Sequence, residues 1–259
     1  MTIDSAKGLP TVRSRMTVDV QCVGPRELVT HLTELLLSKN ISAVPVTEEG
    51  RLVGVVSTTD LVAELARTPG PNEGPRLAAD VAQRPVVTIN GEATLAAAAA
   101  LFQKERIHRL VVGDGTTVEG VLTPRDLLND VKARPRDLLL SALMVRALAT
   151  VDIGDTVDEA VALLGRAQVH GLVVKDGSRP VGVFTHREAL QSRKLPAALR
   201  AQPVEDVMSY ETICLDDDTP VHRGAAYMLA MDVRRILVVK SGHLVGIVSA
   251  LDLAGTLAM

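Results

Sequence analysis

Residues 52–62 read LVGVVSTTDLV, and nearly the same phrase returns at 118–128 (VEGVLTPRDLL), 180–190 (PVGVFTHREAL) and 244–254 (LVGIVSALDLA). In each, a short β-branched run ends in Ser or Thr, an acid follows three residues later, and an apolar tail comes next. That is the pattern of a strand turning directly into a capped helix. The third copy differs from the others in one respect: Glu188 stands where they have an aspartate.

Working outward, the copies define a period. The glycines Gly54, Gly120, Gly182 and Gly246 are separated by steps of 66, 62 and 64 residues. Thirty-two residues upstream of each stand Cys22, Thr88, Thr150 and Cys214, and thirteen upstream stand Ile41, Ile107, Val169 and Val233. The offsets hold within every copy, so the length differences fall in the connectors. Before the hairpin, Leu28, Leu32, Leu35 and Leu36 follow helical spacing. Each unit therefore reads strand, helix, strand, turn, strand, helix. Thr156 with Glu159 forms a capping box for the first helix of unit three, and Thr219 followed by Pro220 reads as N-cap and N1 in unit four. The fold class expected is α/β (α+β), with four βαββα units.

A unit of about 60 residues has a marginal core and needs a neighbour, so the units are paired one with two and three with four. The expected division is a tail at 1–15, a first module at 16–132 (units 16–66 and 77–132) and a second at 133–259 (units 138–193 and 203–257). TPGPNEGPR at 68–76 reads as a loop, RPRDLLLSALM at 134–144 as a helical passage, and ATLAAAAALF at 93–102 as a closely packed core helix.

Hydrophobic residues make up 47% and charged residues 23% of the chain, with a net charge of -3, which describes a globular protein with no global attraction to nucleic acid. Two Phe, two Tyr and no Trp leave little material for stacking bases. MTIDSAKG lacks the layout of a signal peptide and no apolar run approaches a membrane span, so the expectation is a cytoplasmic protein with neither membrane nor nucleic-acid partners. Cys22 and Cys214 share a slot with Thr88 and Thr150 and read as small core residues rather than a disulfide or metal pair. Met208, Met228 and Met231 are also expected in the core. No nucleophile–base pair, metal cluster or phosphate-binding GxxxxGK[ST] loop is visible, so no catalytic residue is assigned.

The four closing motifs GVVSTTD, GVLTPRD, GVFTHRE and GIVSALD, in one register behind an apolar strand, resemble those of the cystathionine-β-synthase (CBS) domain family, whose tandem pairs form Bateman modules. The resemblance covers about Met16 to Leu257. It implies regulatory modules that bind adenosyl ligands (AMP, ADP, ATP or S-adenosylmethionine) in clefts between paired units, and that control a separate protein. It also implies that Asp60, Asp126 and Asp252 hold a ribose, with Ser57, Thr123 and Ser249 beside them, and that Thr88 and Thr150 lie near the adenine.

Phosphates need cations, and the even units carry them: His108 and Arg109 in unit two, Arg234 and Arg235 in unit four, against Ser42-Ala43 and His170-Gly171 in the odd units. Arginine supplies planar multidentate donors for phosphate oxygens. His170 reads as a solvated strand-entrance residue. Glutamate suits a capping box, so unit three, with Glu188 and Gly171, is expected to hold the weakest or empty site. Two alternatives stay open. The motifs also serve as helix caps in a ligand-free structural or oligomerisation module, and the four units suit either a complete disc within one chain or a homodimer.

Overall fold

The computed structural model describes residues 9–65, 74–167, 169–192, 201–210 and 212–259; of the loop expected at 68–76, residues 68–73 lie outside this range. The repeat is visible in the backbone. Unit four shows it in full: strand Ile213–Asp216, helix Val221–Ala230, hairpin strands Arg235–Lys240 and His243–Ser249, and helix Ala250–Gly255. The first strand lies parallel to the middle one and the hairpin is antiparallel. Units two and three repeat this order. Unit one keeps the hairpin Ala43–Glu48 and Arg51–Ser57, but its expected first strand shrinks to a single parallel bridge between Val23 and Val46. Gly24 and Pro25 follow at once and end the pairing there.

Each unit begins with a leader segment that leaves its own unit and lies on the paired one. The leader of unit one bridges Thr11 to Thr94 and Thr17 to Val121 in unit two, and the leader of unit two bridges Leu77 to Leu28 and Gln83 to Val55 in unit one. Units three and four exchange leaders in the same way, through Leu139–Pro220, Val145–Ile247, Thr156–Pro203 and Val183–Ser209. The backbone at 11–17, most of it assigned to the tail on sequence, thus packs on unit two, with Val12 fully buried there.

These leaders explain the motif glycines. A Cβ at Gly54 would meet the Ala82 Cβ at 2.8 Å, and one at Gly120, Gly182 or Gly246 would meet the sulfur of Met16, Met208 or Met144 at 2.6, 2.9 and 2.5 Å. Four equivalent leader residues therefore lie on four equivalent glycines, each from the paired unit. Leaders also satisfy helix starts: Val221 N–H donates to the Leu138 carbonyl and Leu140 N–H to the Thr219 carbonyl.

The hydrophobic cores run the other way. One joins Phe102, Leu122, Leu127 and Leu128 of unit two to Met228, Ile236 and Leu253 of unit four. A second joins Leu32, Leu36 and Leu61 of unit one to Leu164, Phe184 and Leu190 of unit three. Leader exchange within pairs and shared cores between pairs bring all four units of one chain around a common centre.

Several sequence expectations need correction. The passage at 134–144 is not a continuous helix: the preceding helix ends at Lys132, and only Leu140–Leu143 is helical, because Pro135 keeps Arg134 out of the helical region. Pro220, not Thr219, is the N-cap of the helix Val221–Ala230, since the leader of unit three supplies the acceptor that a Thr cap would. Met231, the C-cap beyond the helix Val221–Ala230, is 60% exposed, and Cys214, on the outward face of the strand Ile213–Asp216, is exposed rather than core. The alanine-rich run does form a packed helix, Leu95–Glu105, capped by Thr94, with Ala98 and Ala99 fully buried.

Candidate functional site

Each closing motif folds into the same local device. The Ser57 N–H and hydroxyl both donate to Asp60 Oδ2, at 2.7 and 2.6 Å. Thr123 does the same to Asp126 (2.7 and 2.7 Å) and Ser249 to Asp252 (2.7 and 2.6 Å). Thr185 N–H and hydroxyl donate to Glu188 Oε2 at 2.8 and 2.5 Å. The aspartates therefore cap their helices as the glutamate does, and the expected contrast between a capping Glu188 and ligand-reserved aspartates is absent from the geometry. The difference is burial: Glu188 is 6% exposed, whereas the three aspartates are partly open. Among the described residues, Asp126 and Asp252 have no hydrogen bond at Oδ1, while Asp60 Oδ1 accepts one from Gln83 Nε2 at 2.8 Å.

The arginines of the even units point into the odd ones. Arg235 Nη2 donates to the His170 carbonyl at 2.8 Å, and a Cβ on Gly171 would meet its guanidinium carbon at 3.3 Å. Arg109 Nη2 donates to the Ser42 hydroxyl of unit one. Burial lowers the Arg235 value, and Glu188 partly offsets this. Burial and Arg234 push Arg109 down to about 10, with Asp60 opposing. Unit three therefore does not lack an arginine: Gly171 makes room for one from unit four, which removes a premise for ranking that cleft weakest.

Around the centre, contacts join units that are not paired. Arg187 Nη1 donates to Asn40 Oδ1 at 2.6 Å and Arg234 Nη2 approaches the same oxygen at 3.4 Å. Arg125 reaches Asp232 and the Val233 carbonyl. The His108 and His170 rings meet edge to face at 4.2 Å, and His170 and His186 at 5.7 Å. Burial, reinforced by neighbouring imidazoles and arginines, pushes His108 down to about 3 and His186 to about 4, and lowers His170. All three are neutral at pH 7. His170 keeps an exposed edge, as expected, yet its ring is crowded between His108 and His186, which accounts for the lowering. Arg109, Arg187, Arg234 and Arg235 mostly hold neutral oxygens, and among the described residues none forms an ion pair with a carboxylate. Positive charge is thus concentrated, with Asp60, Asp232 and Glu188 acting on it only through space rather than in direct ion pairs, which favours an anion.

A sequence profile of the CBS domain matches residues 12–67, 78–133, 140–194 and 204–258. The chain belongs to the CBS domain family. A CBS domain-containing protein of Bacillus subtilis, YhcV, is 27% identical over 119 residues, which cover 46% of this chain and 84% of that one. An A-adding tRNA nucleotidyltransferase of Geobacter sulfurreducens is 30% identical over 128 residues, 49% of this chain but only 14% of the enzyme. The structure of MJ1225 from Methanocaldococcus jannaschii, described as a putative archaeal homolog of g-AMPK, superposes with a TM-score of 0.84 at 14% identity, over 95% of this chain and 99% of that one. This likeness is one of fold. The four CBS units correspond to two Bateman modules.

Among the site residues expected from the CBS resemblance, the structure brings His108, Arg109, Arg234 and Arg235 to the centre. It leaves Asp60, Asp126 and Asp252 at helix starts with their cap residues. Thr88 and Thr150 lie on outer strands, paired with Val111 and Val173, and among the described residues share no hydrogen bond with the motifs. Sequence reading passed over Asn40, His186, Arg187 and Gln83. Arg125 and Arg187 stand two residues after the cap in units two and three, a basic coincidence that the aligned repeats display. Gln83 carried no such signal, because only leader exchange places it beside Asp60. No helix among the described residues is long and apolar enough to cross a membrane.

Proposed function

We propose that this CBS protein is a non-catalytic regulatory sensor of adenosyl ligands, of the AMP, ADP or ATP type, that signals to a separate protein partner. The observation that carries this reading is the cluster of Arg109, Arg187, Arg234 and Arg235, which hold neutral oxygens and, among the described residues, form no direct ion pair, near carboxylates at helix starts. In this reading Asp60, Asp126 and Asp252 accept ribose hydroxyls, with Ser57, Thr123 and Ser249 beside them and Thr88 and Thr150 near the adenine. Arg109, Arg234, Arg235 and His108 meet the phosphates. Ligand would neutralise charge that units two, three and four contribute and that unit one holds through Ser42 and Asn40, so occupancy would alter how the two modules hold together. S-adenosylmethionine, which brings no phosphate, makes less use of the arginines.

The capping geometry common to all four motifs favours one other reading, a ligand-free structural or oligomerisation module. Mass spectrometry of small molecules released from the purified protein, together with thermal shift in AMP, ADP, ATP, adenosine and S-adenosylmethionine, separates the two. The sensor reading expects stabilisation by nucleotides and less by adenosine. Arg109→Ala or Arg235→Ala should weaken ATP binding about tenfold, the effect of one charge-assisted hydrogen bond, while changing adenosine binding less. No released adenosyl compound and no shift with any of these ligands would leave only the structural module.

A further inference from the structure

Four equivalent leader residues lie against the four motif strands: Thr17 in unit two, Gln83 in unit one, Val145 in unit four and Ser209 in unit three. Their equivalence is fixed by the backbone, since each bridges the residue that follows its motif glycine: Val121, Val55, Ile247 and Val183. Among them, Gln83 donates to the carboxylate oxygen that the cap leaves free, with its amide nitrogen 2.8 Å from Asp60 Oδ1. Thr17 and Val145 make no such bond to Asp126 or Asp252 among the described residues. Both oxygens of the Asp60 carboxylate are thus engaged, Oδ2 by Ser57 and Oδ1 by Gln83. In the same cleft, Arg109 is turned onto the Ser42 hydroxyl.

We propose that Gln83 is a built-in occupant of the unit-one cleft, standing where a ligand hydroxyl would donate to Asp60. This sets that cleft apart as a lower-affinity site that fills after those at Asp126 and Asp252. The inference rests on the adenosyl-binding reading above and adds an order of filling to it. An amide donor and a hydroxyl donor would share one carboxylate oxygen, so a ligand hydroxyl gains less at Asp60 than at Asp126 or Asp252, where Oδ1 is free of hydrogen bonds among the described residues. A graded sensor follows, with clefts responding in different concentration ranges.

The test uses the full chain and AMP as the probe, with calorimetric titration for affinities and crystal structures at limiting and saturating AMP to assign clefts. The unit-one cleft of the unaltered protein should fill last. Gln83→Ala, and Gln83→Thr, which installs the residue found in the unit-two cleft, should strengthen that phase about five- to tenfold. The reciprocal Thr17→Gln should weaken the Asp126 cleft by a similar factor. Gln83 and Thr17 are exposed, so melting temperatures of these variants should match the parent, separating a binding effect from a folding one. Unchanged or weakened AMP binding at Asp60 in both Gln83 variants would overturn the role of Gln83 while leaving the sensor reading intact. Absence of AMP from every cleft would overturn both.

Discussion

At the residue scale, the motif glycines and Gly171 show how side-chain absence positions function. An added methyl at Gly182 meets the Ser209 carbonyl oxygen at 2.7 Å, a backbone atom that cannot swing away, and at Gly246 it meets the Met144 Cβ at 2.8 Å, which the backbone fixes as well. Thermal denaturation should therefore show Gly182→Ala and Gly246→Ala each destabilising by about 1–3 kcal/mol. At Gly171, beyond the Thr185 Cγ2 at 3.2 Å, an added methyl meets the Arg235 guanidinium, its carbon at 3.3 Å. Gly171→Ala should displace it, and binding of ATP, measured by calorimetry, should fall more than stability does. The sequence displayed all these glycines in register, but not what faces each one, because the facing atoms come from another unit.

Leader exchange makes predictions about elements. Val12 is fully buried among residues of unit two, so Val12→Ala should cost roughly 2 kcal/mol through lost contacts and a partial cavity. Hydrogen exchange should locate the loss on the strand Gly120–Leu122 and the helix Leu95–Glu105, not on the hairpin of unit one. Protection lost instead within Ala43–Ser57 would contradict the exchange. The hairpins and their flanking helices were legible from alternation, helical spacing and caps, all of which are short-range. The course of 134–144 was misread because apolar residues there serve as a leader that pairs with the neighbouring unit, and periodicity alone does not separate that from a buried helix.

Pairing of modules governs behaviour at the scale of the whole molecule. His108 belongs to the first module and His170 and His186 to the second, and all three have values below that of a free imidazole. The neutral forms are favoured in the folded state, so the unfolded chain binds more protons below about pH 6.5. Their contribution to stability is complete above that pH and is lost as pH falls toward 4 and 3. Melting temperature should drop through this window by about 2–4 °C for each kcal/mol lost, and His186→Gln should flatten the slope; an identical slope in that variant would remove the histidines as its cause. The same cluster predicts that sulfate stabilises the protein at pH 7 beyond chloride of equal ionic strength, as judged by melting temperature, since an anion relieves repulsion among Arg109, Arg187, Arg234 and Arg235.

The sequence by itself determined the repeat, the order of elements within each unit, the caps and the even-unit arginines, because each depends on neighbours within one unit and is repeated in register. Tertiary contacts alone decided that leaders cross between paired units, that cores join unit one to three and two to four, and that Arg109 and Arg235 reach into the odd units, onto Ser42 and the His170 carbonyl. They also decided that Glu188 and the aspartates perform the same capping task, differing in burial and in Gln83. These are relations between residues far apart in the chain. Local physics fixes what each unit looks like, but the contacts that turn four similar units into distinct sites form only when the units share one centre.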